Sequence, residues 1–141
     1  MSSVKVKTIR SPKFDKAVKQ LTRNAKQLVG EAGNLVRNTA VESIAQGAKS
    51  GVTYELYKPR RTHTSSASGE PPASDTGFLV NHIFLNIDTD GLGASVESTA
   101  DYSVFLEFGT TKMAARPFMQ PALDSNLSKI RQLERRMIKA K

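Results

Sequence analysis

Residues 101–124, DYSVFLEFGTTKMAARPFMQPALD, decide how the rest of the chain is read. An aromatic-rich apolar run passes through one glycine and a small polar loop to an Arg-Pro-Phe corner that opens a helix. Tyr102, Val104, Phe105, Leu106 and Phe108 hold much of the chain's large apolar surface, worth about 1.5–3 kcal/mol each if buried. Tyr102–Phe108 reads as a short helix or a strand, and Tyr102, Phe105, Leu106 and Gly109 falling on one helical face favours the helix. Glu107 lies inside the run, which predicts a rim position or a cationic partner. Gly109 makes φ > 0 available for a turn without steric cost. Thr110 to Ala115 then form a short loop carrying Lys112. Pro117 biases Arg116 away from helix and suits a first helical turn. Pro121 is tolerated because the first four N–H groups of a helix have no intrahelical acceptor. Phe105, Phe108, Gly109, Pro117 and Phe118 make a structural corner, with the three phenylalanines expected in the core where two helices cross a sheet.

Outward from this corner the elements follow from period and punctuation. Residues 118–140 carry an apolar stripe at Leu123, Leu127, Ile130, Leu133 and Met137, which predicts an amphipathic helix with basic residues toward its end. Upstream, Ile83, Leu85 and Ile87 alternate with Phe84, Asn86 and Asp88. With Asp90-Gly91, Gly93 and the returning Ala94–Ser98, this predicts a β-hairpin over 82–98. Asp75-Thr76-Gly77 is a turn, with room for one helical turn at Phe78-Leu79-Val80. Residues 59–76, PRRTHTSSASGEPPASDT, are read as an exposed loop, because that composition cannot make a packed core. Arg60, Arg61 and His63 at its base could meet phosphate or simply be solvated. Val52–Lys58 reads as a strand ended by Pro59.

At the N-terminal side, Ser11-Pro12 reads as N-cap and first helical residue. Phe14, Val18, Leu21, Ala25, Leu28, Ala32 and Leu35 continue at helical spacing, which predicts a helix over 12–48. Gly30 and Gly33 inside it cost about 1 kcal/mol each relative to alanine. They allow a close crossing or, alternatively, a break into two helices. A helix of this length is expected to project beyond its own core. Val4, Val6 and Thr8 alternate with Lys5 and Lys7, a weak strand signal. The expected fold class is α+β: long N-terminal and C-terminal helices packed on a small antiparallel β-sheet, with a long exposed loop, in a single domain spanning 1–141.

Composition narrows the function. The 141 residues include no cysteine, so neither disulfides nor cysteine metal sites are available. No run approaches the roughly 18 apolar residues of a membrane span. MSSVKVKTIR is not followed by the apolar segment of a secretory signal. The net charge of +8 is segregated. Residues 1–37 hold nine Lys/Arg against two acids, residues 70–111 hold seven acids and no Lys or Arg, and residues 112–141 hold eight Lys/Arg against two acids. An acidic middle between basic ends suits subunit-to-subunit stacking, or else ordinary solvated faces.

Nothing in the sequence points to catalysis, and the expectation is a non-enzyme without cofactors, catalytic residues or metal ligands. His63 and His82 lack nearby cysteines. Ser65, Ser66 and Ser68 have no nucleophile-elbow context. Gly91-x-Gly93 lacks the third glycine and following helix of a dinucleotide site. Asp88, Asp90 and Glu97 read as solvated acids near a hairpin tip.

Two segments carry a family resemblance. The run from Tyr102 through Phe105-Leu106-Glu107-Phe108-Gly109-Thr110-Thr111-Lys112-Met113-Ala114-Ala115-Arg116-Pro117-Phe118 to Leu123 resembles the signature of the tail-component proteins of long-tailed double-stranded DNA phages. Such proteins are also called tail-completion or head–tail neck proteins. Gly69-Glu70-Pro71-Pro72 with Asp75-Thr76-Gly77-Phe78-Leu79 resembles a second segment of that family, in the expected order. The chain departs from it at the basic and serine positions, which here are Phe78, Val80 and His82. The resemblance implies a structural virion protein of the neck or tail, made in the host cytoplasm. It also implies a homo-oligomeric ring, commonly hexameric, and neighbours among head-closure or connector, tail-terminator and tail-tube proteins. Glu107, Lys112 and Arg116 are then candidate intersubunit contacts. The alternative is a basic domain that binds DNA without sequence choice, for which pI ≈ 9.9 speaks and the acidic middle does not. A ring around the DNA path would combine the two. No membrane partner is expected.

Overall fold

A computed structural model describes residues 11–139. The alternation at Val4–Thr8 lies outside the described residues. Eight elements follow in order: α1 (Pro12–Gln46), β1 (Thr53–Tyr57), β2 (Arg60–Thr64), α2 (Phe78–Asn81), β3 (Ile83–Ile87), β4 (Ala94–Ser98), α3 (Ser103–Phe108) and α4 (Met119–Lys139). The class is α+β, with the long first and last helices against small antiparallel sheets. The strands form two separate hairpins rather than one sheet.

α1 begins at Ser11, whose carbonyl accepts from Asp15 N–H (3.1 Å), with Pro12 in the first turn, where its missing N–H costs nothing. It runs unbroken through Gly30 and Gly33. Gly33 is where β3 comes closest: a Cβ there would lie 2.4 Å from Leu85 Cδ1. α4 returns antiparallel along α1. Asn126 Nδ2 donates to Thr39 Oγ1 (2.8 Å) and Asn24 Nδ2 to the Met137 carbonyl (3.1 Å), which fixes the alignment at two points. Asn126 is buried, and its second donation, to the Ala122 carbonyl (2.8 Å), keeps the amide satisfied away from water.

β3 also runs antiparallel to α1. Arg37 Nε donates to the Ile83 carbonyl (3.0 Å), Leu85 covers Gly33, and the tip at Gly91 rests against the Lys26 stem. The buried core is small and one-ended. Val36, Ala40 and Ile44 of α1 meet Leu79, Ile83, Ala100, Phe118 and Ala122. Nothing comparable is buried on α1 before Val36.

Three expectations are corrected. Residues 59–76 are not one exposed loop. Lys58-Pro59 is a two-residue turn with a cis peptide bond, and Arg60–Thr64 pairs with Thr53–Tyr57. Threonines favour that pleated edge, and Thr53 and Thr64 share a side-chain hydrogen bond (2.9 Å). Beyond it the loop is tied down, with Ser66 and Pro72 buried. Second, Phe105 and Phe108 do not enter the core; they are 53% and 79% exposed, while Phe118 is 1% exposed. α3 spans six residues, too few for periodicity to choose a face, and it is Leu106 that packs inward. Third, Pro117 precedes α4 rather than opening it, and Pro121 takes the first-turn position.

Candidate assembly surfaces

The corner is organised by Glu107. Its Oε2 accepts from Phe118 N–H (2.9 Å) and Met119 N–H (3.0 Å), and its Oε1 from Gln120 N–H (2.9 Å). The carboxylate thus caps α4 from another helix. It satisfies three of the donors that a helix start leaves without partners, at the end where the helix dipole favours negative charge. Gly109 closes α3 at φ 75°, its N–H donating to the Phe105 carbonyl (2.8 Å). A Cβ at Gly109 would lie 2.8 Å from both Ala115 N and the Met113 carbonyl oxygen, so backbone crowding as well as φ demands glycine.

Thr110 Oγ1 accepts from Lys112 and Met113 N–H (3.2 and 3.1 Å), which tightens the loop and leaves Lys112 exposed at its tip. Arg116 N–H donates to the Leu106 carbonyl (2.7 Å), while its Nε is buried without a hydrogen-bond partner. The structure therefore gathers Glu107, Arg116 and Phe118 into one corner. Lys112 stands outside it, and no ion pair joins Glu107 to Lys112 or Arg116 among the described residues.

Around this corner are surfaces that sequence reasoning did not single out. One is a groove of about 850 Å³, floored by Val29 and Val36 of α1. Val96 of β4, Val104 and Phe108 of α3 and Leu123 of α4 also line it. Leu92, Val104 and Phe108 leave half or more of their surface to solvent. The second is the free end of α1. Met137 of α4 and the β3–β4 tip meet α1 at Asn24 and Lys26, and residues 12–23, exposed apart from Asp15, run on for about 18 Å at 1.5 Å per residue. Phe14, Val18 and Leu21 on that arm are 65%, 43% and 56% exposed. The third is an aromatic row across α2, β3 and the start of α3. Phe78 stacks on His82 (3.8 Å between ring centroids), Tyr102 lies 6.1 Å from Phe78, and Phe84 meets His82 edge-on at 6.4 Å. Contiguous exposed apolar surface of this kind marks contact with other macromolecules.

The Gly-Glu-Pro-Pro segment is an anchor rather than a free loop. Glu70 accepts from Ser50 Oγ, from Ser50 N–H (3.1 Å) and from Ala67 N–H (2.8 Å). These bonds, the Ser50 hydroxyl first, hold its carboxyl below the ordinary value of 4.5, with desolvation opposing weakly. A lowered folded pKa means that the stabilisation is present above the ordinary value and is lost as pH falls through the lowered one. Acidification through this lowered value is therefore expected to free this loop, seen as faster amide exchange at Ala67 and Ser50. Glu70→Gln should abolish the pH dependence of that exchange; persistence of the same profile in the variant would assign it elsewhere.

A cleft of about 210 Å³ beside this loop is lined by His63, Asp75, Tyr102 and Arg116. Asp75 is engaged by Arg61 (2.9 Å) and lies 3.7 Å from His63 Nδ1, so two of the three residues weighed as phosphate contacts meet a carboxylate instead. Among the described residues no group of three or more His, Asp or Glu side chains could hold a metal ion. No helix there is long and apolar enough to cross a membrane.

A family model described as "Bacteriophage HK97-gp10, putative tail-component" matches residues 11–109. The match takes in α1, both hairpins and α3, and ends at the glycine that closes α3. No curated protein and no solved structure matches the chain.

Proposed function

Because the chain belongs to the HK97-gp10-like family of bacteriophage tail components, a structural role, we propose that it is a ring-forming subunit of the phage neck that completes the tail or joins it to the head. The observation that carries this reading is the mismatch between a small core and large unpartnered apolar surfaces. The buried set is confined to one end of α1, while the arm, the groove and the aromatic row remain open. A chain that leaves this much apolar area to water gains by association. The single-domain organisation over 1–141 is part of the same proposal, as is location in the virion.

In the assembled neck, copies of this chain, six in the ring, meet head-closure or connector, tail-terminator and tail-tube proteins. Lys112 at its loop tip and Arg116 are the proposed intersubunit contacts of the corner, together with Glu107, whose carboxylate also fixes the start of α4. The protein works without catalysis or cofactor.

A second reading keeps some support. The antiparallel packing places the basic half of α1 beside the basic end of α4, gathering charge that is at opposite ends of the sequence. A ring with this pole toward its bore would touch DNA through phosphates alone.

Light scattering on the purified protein, across concentration and salt, separates these readings. The expected result is a ring-sized mass, alone or on mixing with connector or terminator protein, that changes little with salt. A strict monomer that ignores those proteins and binds duplex DNA with a steep salt slope would overturn the structural reading.

A further inference from the structure

We propose that the projecting arm of α1, residues 12–23, seats in the groove between β4, α3 and α4 of a second copy of this chain. The inference rests on the ring reading and deepens it by naming the contact. Four observations lead to it.

The arm cannot fill the groove of its own chain. α1 is one continuous helix whose later turns, at Val29 and Val36, form the groove floor. The arm points away from that floor, so an arm can lie there only if it comes from another molecule.

The shapes correspond. Phe14, Val18 and Leu21 stand at i, i+4 and i+7, the spacing by which an amphipathic helix anchors in an apolar groove. That stripe spans eight residues, and so does the stretch of floor from Val29 to Val36, each about 10 Å at helical rise.

The charges correspond as well. The arm carries Lys13, Lys16, Lys19 and Arg23 against Asp15 alone. The groove's lining includes Glu97 of β4 and Glu107 of α3 and no Lys or Arg. A second copy thus brings a basic helix to an acidic rim, which favours encounter and fixes orientation. A copy approaching groove to groove, or arm to arm, would set like charges together.

Finally, arm and groove are different surfaces of one chain. A contact of this kind is head-to-tail, and it closes into a ring when the rotation per copy divides the circle. It therefore needs no second kind of interface to produce the assembly.

The chain has no cysteine, so engineered thiols report without background. Leu21→Cys and Leu123→Cys together should cross-link under oxidation into a ladder of dimers, trimers and higher species on a non-reducing gel, ending at the ring. Leu21→Cys alone and Leu123→Cys alone should give no cross-linked species. As a second readout, Phe14→Glu with Leu21→Glu spoils the arm, and Val104→Glu with Leu123→Glu spoils the groove. Each variant alone should be monomeric with unchanged helix content by circular dichroism. Mixed, they should form a two-copy complex and stop, because one intact arm meets one intact groove. A protein of ring mass whose double-cysteine form stays uncross-linked would overturn the inference while leaving the ring reading in place. Cross-linking by Leu21→Cys alone would also overturn it, since arms would then meet arms. A wild-type chain that stays monomeric at every concentration and with neck proteins present would overturn both.

Discussion

Phe118→Ala is expected to lower stability by about 3–5 kcal/mol, the range for removing a buried phenylalanine side chain. Phe118 is the largest of the fully buried side chains, at 1% exposure. It lies immediately before α4 and belongs to the cluster formed with Val36, Ala40, Ile44, Leu79, Ile83, Ala100 and Ala122. Three of those neighbours, Ala40, Ala100 and Ala122, are alanines and cannot extend into the space left behind. The cavity cost therefore adds to the lost transfer energy rather than being relieved by collapse. For a chain of this size the loss corresponds to a fall of roughly 10–17 °C in melting temperature. Denaturant unfolding of the monomer is the direct check: the midpoint should drop while the slope m is unchanged. A shift of about 1 kcal/mol or less would mean that the corner closes by other contacts. Phe105→Ala and Phe108→Ala provide the contrast. Both side chains are exposed in the single chain, so their effect on monomer stability should be small, and any larger effect should appear in assembly.

Glu107→Ala is expected to cost about 1–3 kcal/mol, also in the monomer. The substitution removes the acceptor of three backbone N–H groups at once. One of them belongs to Phe118, which is buried, so water is poorly placed to replace the lost partner. The charged acceptor also sits at the positive end of the α4 dipole. Glu107→Gln keeps an oxygen at the site but loses the charge and one accepting atom, and should fall between wild type and alanine. Amide exchange gives the residue-level readout: Phe118, Met119 and Gln120 should lose protection first, with the centre of α4 retained. If exchange at these three amides is unchanged in Glu107→Ala while assembly is lost, Glu107 acts between subunits and its capping role is minor. The two substitutions touch the same corner, so their effects should not add; a double variant measures how far the cap positions Phe118.

Much of this architecture is written in one-dimensional signals. The 3.6-residue spacing from Phe14 to Leu35 and the stripe from Leu123 to Met137 specify two long amphipathic helices. Alternation at Ile83, Leu85 and Ile87 with the Asp90-Gly91 turn specifies an antiparallel pair. Those signals are strong because each is repeated over several turns or residues and because the turn chemistry agrees with it. The family resemblance was legible in the same way, through two ordered local segments. Signals spanning fewer residues were ambiguous. RRTHT carries no apolar face, so its pairing with TYELY depends on turn geometry and backbone bonds that polar composition hides. In α3, six residues put four large apolar side chains on nearly all sides, and the pattern could not say that Leu106 alone faces inward.

The sequence by itself determined the α+β class, the two long helices, the absence of cysteine chemistry and the segregation of charge. Only the tertiary structure decided what those parts do to one another. Glu107 became a helix cap because α3 is brought against the start of α4, a juxtaposition of residues eleven to thirteen apart that no periodicity encodes. The basic ends were gathered side by side because α4 packs antiparallel on α1. The arm and the groove exist because α4 and the β3–β4 tip stop near Asn24 and Lys26, leaving α1 longer than anything that covers it. Local signals specify which residues want to be buried; how much of that demand one chain can meet depends on where its elements end, and here it meets only part.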